Sequence, residues 1–269
     1  MYCQAEFRRR SERVHAHFCS NADQRVLQGT MGYTTERRFL SVSDYAMAEK
    51  RCMTRRPYRI VLLGASVGQA WNLPAFPERA KDADYALESL AVWQFDKSDA
   101  LDEILMRPKR KFRLTWSYLR SLFRLPLPTP DAIIVKECSA YFPGESTLSQ
   151  KQSLVMTWVE QISHSGIKPV LATVVPVTRA RSGQDKAKMK GIREFNDWIR
   201  NYARDRRLSL LDLEAALRTD PVERYLRDDL TSGDGSHLND KAYETLDKLL
   251  HESLAGIKNG GDERRIVKK

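Results

Sequence analysis

Two short segments, far apart in the chain, carry residue types that can do chemistry together. Gly64-Ala65-Ser66-Val67-Gly68 follows an apolar run, and Ser232-Gly-Asp-Gly-Ser-His-Leu-Asn239 precedes a helical pattern near the end. A serine at a strand-to-helix turn stands where unpaired backbone N–H groups and the positive end of a helix dipole favour developing negative charge. The same position suits a helix cap, so this segment alone leaves cap and nucleophile both open. The second segment places Asp234 three residues before His237. A carboxylate there can accept the imidazole Nδ1–H and fix its tautomer, which leaves Nε2 to take a proton from a hydroxyl. Of the five histidines, His15 and His17 lie in a stretch without periodicity, while His164 and His251 fall on helical patterns. No second His or Cys stands at ligand spacing from His237, so neither a metal nor an organic cofactor is expected.

The elements that would position these residues alternate. Arg59-Ile-Val-Leu-Leu63, stopped by Gly64, reads as a buried parallel strand. Residues 89–95 (SLAVWQF), 132–135 (AIIV), 169–175 (PVLATVV) and 208–211 (LSLL) read as four more. Helical patterns fall between them at 98–106, 149–163 and 186–205, the last with Ile192, Phe195, Ile199 and Tyr202 on one face. A final helix over 241–254 has Asn239 or Asp240 as its cap. Such alternation predicts a parallel sheet covered on both faces, with the ligand crevice at the carboxyl ends of the strands. Ser66 and the strand-end residues of the third strand both satisfy that placement.

Composition bounds the rest. A chain of 269 residues supports one good core, and its 45 Lys+Arg against 35 Asp+Glu leave a net charge of +10, which favours anionic partners without choosing one. Four dispersed cysteines form no CxxC pair, so a reducing compartment is expected. No signal-peptide core or transmembrane run is read, which makes the cytoplasm the default location. Residues 1–56 hold 11 basic and 6 acidic residues without sustained periodicity and read as a disordered basic tail. Residues 57–258 form the expected domain, and 259–269 a second disordered tail.

Gly64-Ala-Ser66 after the first strand, with Asp234-Gly-Ser-His237 before the last helix, resembles blocks one and five of the SGNH/GDSL hydrolases. The resemblance spans residues 58–256. It implies a three-layer α/β/α, flavodoxin-like fold with a parallel five-stranded sheet, and a catalytic triad in which Ser66 is the nucleophile, His237 the general base and Asp234 its orienter. It also implies a serine esterase or deacylase acting on an O-acyl group of carbohydrate or lipid type, without a cofactor.

The resemblance has gaps. The family completes its oxyanion hole with a Gly after the second strand and an Asn in Gly-x-Asn-Asp after the third. Here the third strand runs on as Lys136-Glu-Cys-Ser-Ala-Tyr141, which puts Cys138, Ala140 and Tyr141 at the Gly, Asn and Asp positions. Losing one such donor costs about 2.7–4 kcal/mol of transition-state stabilisation. Candidates to line the pocket or supply a donor are Gly68, Asn72, Gln94, Lys97, Lys136, Glu137 and Ser139. Lys136-Glu137 is the most pointed of these, because two charges at the end of a buried strand need partners. Asp96 and Ser98 read equally well as caps of the next helix.

Residues 107–124 (RPKRKFRLTWSYLRSLFR) carry seven basic residues and no acid, with Leu, Trp, Tyr and Phe gathered on one helical face. Within an insertion over 107–129, this reads as a lid whose cations steer an anionic small-molecule or glycan ester; association with an anionic membrane surface is the alternative. Nucleic-acid binding is not expected, because the aromatics lie on the apolar face. Two further functional readings stand beside hydrolysis: a binding module for a glycan or protein that has lost its oxyanion hole, and an acyltransferase using the same triad.

Overall fold

Five short runs of β-branched and aliphatic residues build the centre of the protein. The computed structural model describes residues 56–64, 66–91, 97–107, 128–142, 148–183 and 186–259. The tails over 1–55 and 260–269, most of the basic insertion (108–127), and Gln94 and Asp96 therefore lie outside the described residues. The strands are β1 (Tyr58–Gly64), β2 (Tyr85–Ala91), β3 (Ala132–Lys136), β4 (Lys168–Ala172) and β5 (Ser209–Leu211). They form one sheet in the order β2-β1-β3-β4-β5, every pairing parallel. The helices are α1 (Ser66–Ala70), α2 (Phe76–Arg79), α3 (Ser98–Leu105), α4 (Leu148–His164), α5 (Arg179–Ser182), α6 (Lys186–Asp205), α7 (Leu213–Leu217) and α8 (Asp240–Asn259).

Alternating side chains divide the core into two layers. Ile60 and Leu62 of β1 and Ile134 of β3 face one side, packing with Val67, Trp71 and the Leu246–Leu250–Leu254 stripe of α8. Val61, Leu63, Ile133 and Val135 face the other, against Ile104 of α3, Trp158 of α4 and Phe195 of α6. Each such fully buried aliphatic side chain contributes about 1.5–3 kcal/mol of transfer free energy, which makes the sheet a rigid platform for the turns and loops at its strand ends. The result is the three-layer α/β/α, flavodoxin-like architecture expected.

The strand boundaries differ from expectation at two places. The second strand lies at Tyr85–Ala91, earlier than 89–95, and its Leu87 is buried while Glu88 lies at the layer edge. The fourth ends at Ala172, although residues 173–178 stay buried. Thr173 N still donates to Leu211 O of β5 at 3.1 Å; beyond it the chain leaves the ladder, and Asn196 of α6 accepts from Val174 N at 2.7 Å and donates to Val174 O at 2.9 Å. Burial makes both conformations equally apolar in sequence. The caps are mixed: Asn239 caps α8 by accepting from Ala242 N at 3.1 Å, whereas Ser98 accepts from Trp158 Nε1 at 3.2 Å instead of capping α3.

The chain leaves β1, crosses to β2, and returns to β3 on the opposite side of β1. That reversal opens a crevice beyond the carboxyl ends of β1 and β3. Gly64-Ala-Ser66 and Lys136-Glu137 both lie there.

Candidate functional site

Ser66 is the first residue of α1 and is half-buried. One glycine lets α1 pack so closely on the sheet. A Cβ on Gly68 would lie 2.4 Å from Leu62 Cδ2, so this glycine serves the close approach of helix to strand. Trp71 Nε1 and Arg79 then tie the segment to α8 through Asp247, at 2.8 Å and 2.6 Å. Asn72, exposed and left-handed at φ 48°, lends its carbonyl to the same Arg79.

The Asp234–His237 pair forms inside one loop. An antiparallel bridge between Thr231 and Leu238 closes it, with Ser232 N donating to His237 O at 2.9 Å. Gly233 and Gly235 take positive φ (109° and 75°), which bends the intervening Asp234 back on itself. Asp234 accepts from His237 N at 2.8 Å, from Ser236 N at 2.9 Å and from Ser236 Oγ at 2.9 Å, and it also pairs with His237 Nδ1. Partial burial works against the charge, but these hydrogen bonds from His237 and Ser236 win and hold the Asp234 carboxyl well below the usual carboxylate range. Nδ1 is thereby committed. Nε2 makes no hydrogen bond to any described residue, and none joins His237 to Ser66.

The loop is fastened to the sheet through the buried segment after β4. Thr178 N donates to Gly235 O at 2.9 Å, and Leu226 N to Val177 O at 3.0 Å. Contact at Gly235 is so close that a Cβ would meet Thr178 Oγ1 at 2.6 Å and Arg181 Cβ at 2.9 Å. Behind it lies an ion-pair network that sequence reasoning missed. Arg200 holds Asp212 at 2.8 Å and Glu214 at 2.5 Å, while Arg224 holds Glu214 at 2.7 Å and Asp197 at 2.8 Å. Apart from the Asp197–Arg200 pair, three positions apart on α6, its pairings join residues ten or more positions apart in the chain. Asp212 is desolvated, yet hydrogen bonds from Arg200, Ala215 N and Thr173 lower its pKa.

At the end of β3, Glu137 pairs with a residue other than the neighbouring Lys136. Glu137 Oε1 meets Lys97 Nζ at 2.6 Å, with the two side chains 1% and 0% exposed. The rings of Tyr141 and Trp158 lie over the same ammonium at 5.0 Å and 5.5 Å. Lys136, also buried, donates instead to the Glu137 carbonyl at 3.0 Å. Burial pushes the Lys136 ammonium pKa down, with Lys97 adding to the effect and Cys138 and Glu137 opposing it. The Tyr141 hydroxyl is pushed up to about 12 by burial, with Cys138 and Glu137 contributing. Ser139, Ala140 and Tyr141 form one 3-10 turn in which Ser139 is half-exposed and Ala140 exposed.

No family model matches the sequence, and no curated protein matches it. Solved structures do. A GDSL-like lipase from Bacteroides thetaiotaomicron is 16% identical with a TM-score of 0.53, over 81% of this chain and 98% of that one. A lipase/acylhydrolase from Enterococcus faecalis is 16% identical with a TM-score of 0.52, over 74% and 95%. This chain has the SGNH/GDSL hydrolase fold. An acetyl xylan esterase is similar in the same way, 15% identical with a TM-score of 0.53 over 73% of this chain and 99% of that one. Ser66 follows the carboxyl end of β1, and the Asp234–His237 loop is hydrogen-bonded to Thr178 in the segment that follows β4. Among the described residues no group of His, Cys, Asp and Glu could hold a metal ion, and no helix is long and apolar enough to cross a membrane.

Proposed function

We propose that this protein hydrolyses an O-acyl ester, with Ser66 as nucleophile, His237 as general base and then acid, and Asp234 as the group that orients the imidazole. The observation that carries the reading is the Asp234–His237 pair, assembled in a closed loop that is clipped through Thr178 to the end of β4. A histidine with Nδ1 committed to a carboxylate and Nε2 open is prepared to accept one proton. Ser66 Oγ attacks the ester carbon as its proton passes to Nε2, and the carbonyl electron pair moves onto oxygen. Collapse expels the alcohol, which takes that proton. Water then repeats the sequence on the acyl-enzyme. The serine–histidine hydrogen bond forms with substrate in place, as it does in many sites that are loose when empty.

Support for a small acyl ester on a sugar or lipid comes from the likeness to lipases, an acylhydrolase and an acetyl xylan esterase. The net charge of +10 and Arg181 beside Gly235 favour an anionic carrier of the acyl group. Cytoplasmic residence and lid action by residues 107–129 belong to the same reading.

Purified protein should turn over short p-nitrophenyl esters and react with a fluorophosphonate probe. Ser66→Ala should lose both, with turnover down by about 10³-fold or more. Residual activity equal to wild type would sink the nucleophile assignment. A second reading, a glycan- or protein-binding module, draws on the exposed Ala140 at the position of the family's Asn. It requires that the folded wild-type chain stay unlabelled by the probe. Acyl transfer shares the triad and would show itself as product formed with an added alcohol in preference to water.

A further inference from the structure

Lys136 has three N–H donors and makes one hydrogen bond among the described residues, at 1% exposure. Buried ammonium groups are normally paired, and among the described residues the neighbouring carboxylate, Glu137, is already taken by Lys97. Among the described residues the cluster therefore holds more cations than anions: Lys97, Lys136 and Lys151, the last over the Tyr141 ring at 5.1 Å, against Glu137.

Its location is specific. Val135 pairs with Leu63 and Lys136 pairs with Ala172, so Lys136 occupies the last rung of the sheet. A Cβ on Gly64, two residues before Ser66, would lie 3.7 Å from Lys136 Cβ. The Lys136 ammonium reaches the Glu137 carbonyl, beyond the end of the strand and toward the crevice. Four residues further on, Ala140 replaces the family's donor with a methyl group.

We propose that Lys136 supplies the oxyanion-stabilising charge that Ala140 cannot, facing the carbonyl oxygen of an ester attacked by Ser66. The inference rests on the Ser66 reading above. During attack the ammonium hydrogen-bonds to the oxygen that receives the carbonyl electron pair, and it keeps its proton throughout. A fixed cation in a water-poor site stabilises that oxygen more than the neutral ground-state carbonyl, so the gain appears in turnover and not in binding.

The charge must be present for this role. The groups facing Lys136 are Glu137 and Cys138 on its own strand extension and Lys97 from the start of α3; Gly64 and Ala172 on the flanking strands carry no charge. Because burial lowers the Lys136 pKa, activity should fall as pH rises through that lowered value, below the ordinary lysine range.

The test compares wild type, Lys136→Met and Lys136→Arg on a neutral p-nitrophenyl ester, with fluorophosphonate labelling rates as a parallel readout. Lys136→Met should lower kcat by about 10²–10³-fold and leave KM within about threefold, while its melting temperature stays level or rises because a buried charge is gone. Lys136→Arg should recover part of the loss and move the alkaline limb to higher pH. A folded Lys136→Met with wild-type kcat and labelling rate overturns the proposal, and so does a loss confined to KM. The wild-type profile needs no variant: a rate that stays flat up to about pH 10 also overturns it. Ser66→Ala separates the two claims. If it is inactive while Lys136→Met is as fast as wild type, only the Lys136 role fails. If Ser66→Ala is fully active, both fail.

Discussion

Two charge clusters stand among the elements around the sheet, one half-exposed and one buried, and they are built on opposite plans. The network around Arg200 and Arg224 gives the first guanidinium three carboxylates and the second two, with Asp197 and Glu214 shared between them. Most of its groups reach the surface; only Glu214 is wholly buried. The cluster at the end of β3 is wholly buried and gives Glu137 one partner. Among the described residues it leaves Glu137 Oε2 with no hydrogen bond and Lys136 with one. The first plan resists damage because each charge has a spare partner. The second has none, and a fold that needed only stability at that position would do as well with apolar residues. Under-satisfied charge at a strand end, beside the turn that carries Ser66, is what a site for ligand charge looks like before the ligand arrives.

Perturbing each cluster should expose the difference. Lys97→Met strands Glu137 without a partner and should cost about 3–5 kcal/mol of stability by denaturant unfolding. Adding Glu137→Leu should return most of that loss, because the pair is then removed as a unit; a double variant as unstable as the single one would show that the cluster is held by something besides the pair. Glu214→Ala should cost less, about 2–3 kcal/mol, since Arg200 keeps Asp212 and Arg224 keeps Asp197. If Glu214→Ala proves costlier than Lys97→Met, the redundancy argument fails. Gly235→Ala should show the smallest change in stability, about 1–2 kcal/mol, because the strain of a Cβ at positive φ against Thr178 and Arg181 is confined to one short loop. Its effect on ester turnover should be larger in proportion, since the strain falls on the Asp234–His237 geometry.

The sequence made some of this visible and hid the rest for physical reasons. Strand-forming runs such as Arg59–Leu63 advertise themselves because both faces of a parallel sheet are covered and every position must be apolar. Asp234 and His237 were readable as a pair because they are three positions apart in a loop. The end of β4 was not, because Thr173–Thr178 remains as buried as a strand while its backbone is served by Asn196 from α6. Lys97 could be picked out as a strand-end residue, but nothing in its neighbourhood named Glu137, forty positions away, as its partner. Local chemistry is legible in one dimension; pairings that depend on the sheet closing are not.

The loop over 231–239 has a consequence for how such a chain can lose its chemistry. Among the described residues, every hydrogen bond that Asp234 accepts comes from within three positions of it, and none comes from the hydrophobic layers. Folding therefore asks almost nothing of that carboxylate, whereas the proposed chemistry asks everything. Under the proposed function, a single substitution at this exposed carboxylate would remove the chemistry while the hydrophobic layers, and with them the fold, stay as they are.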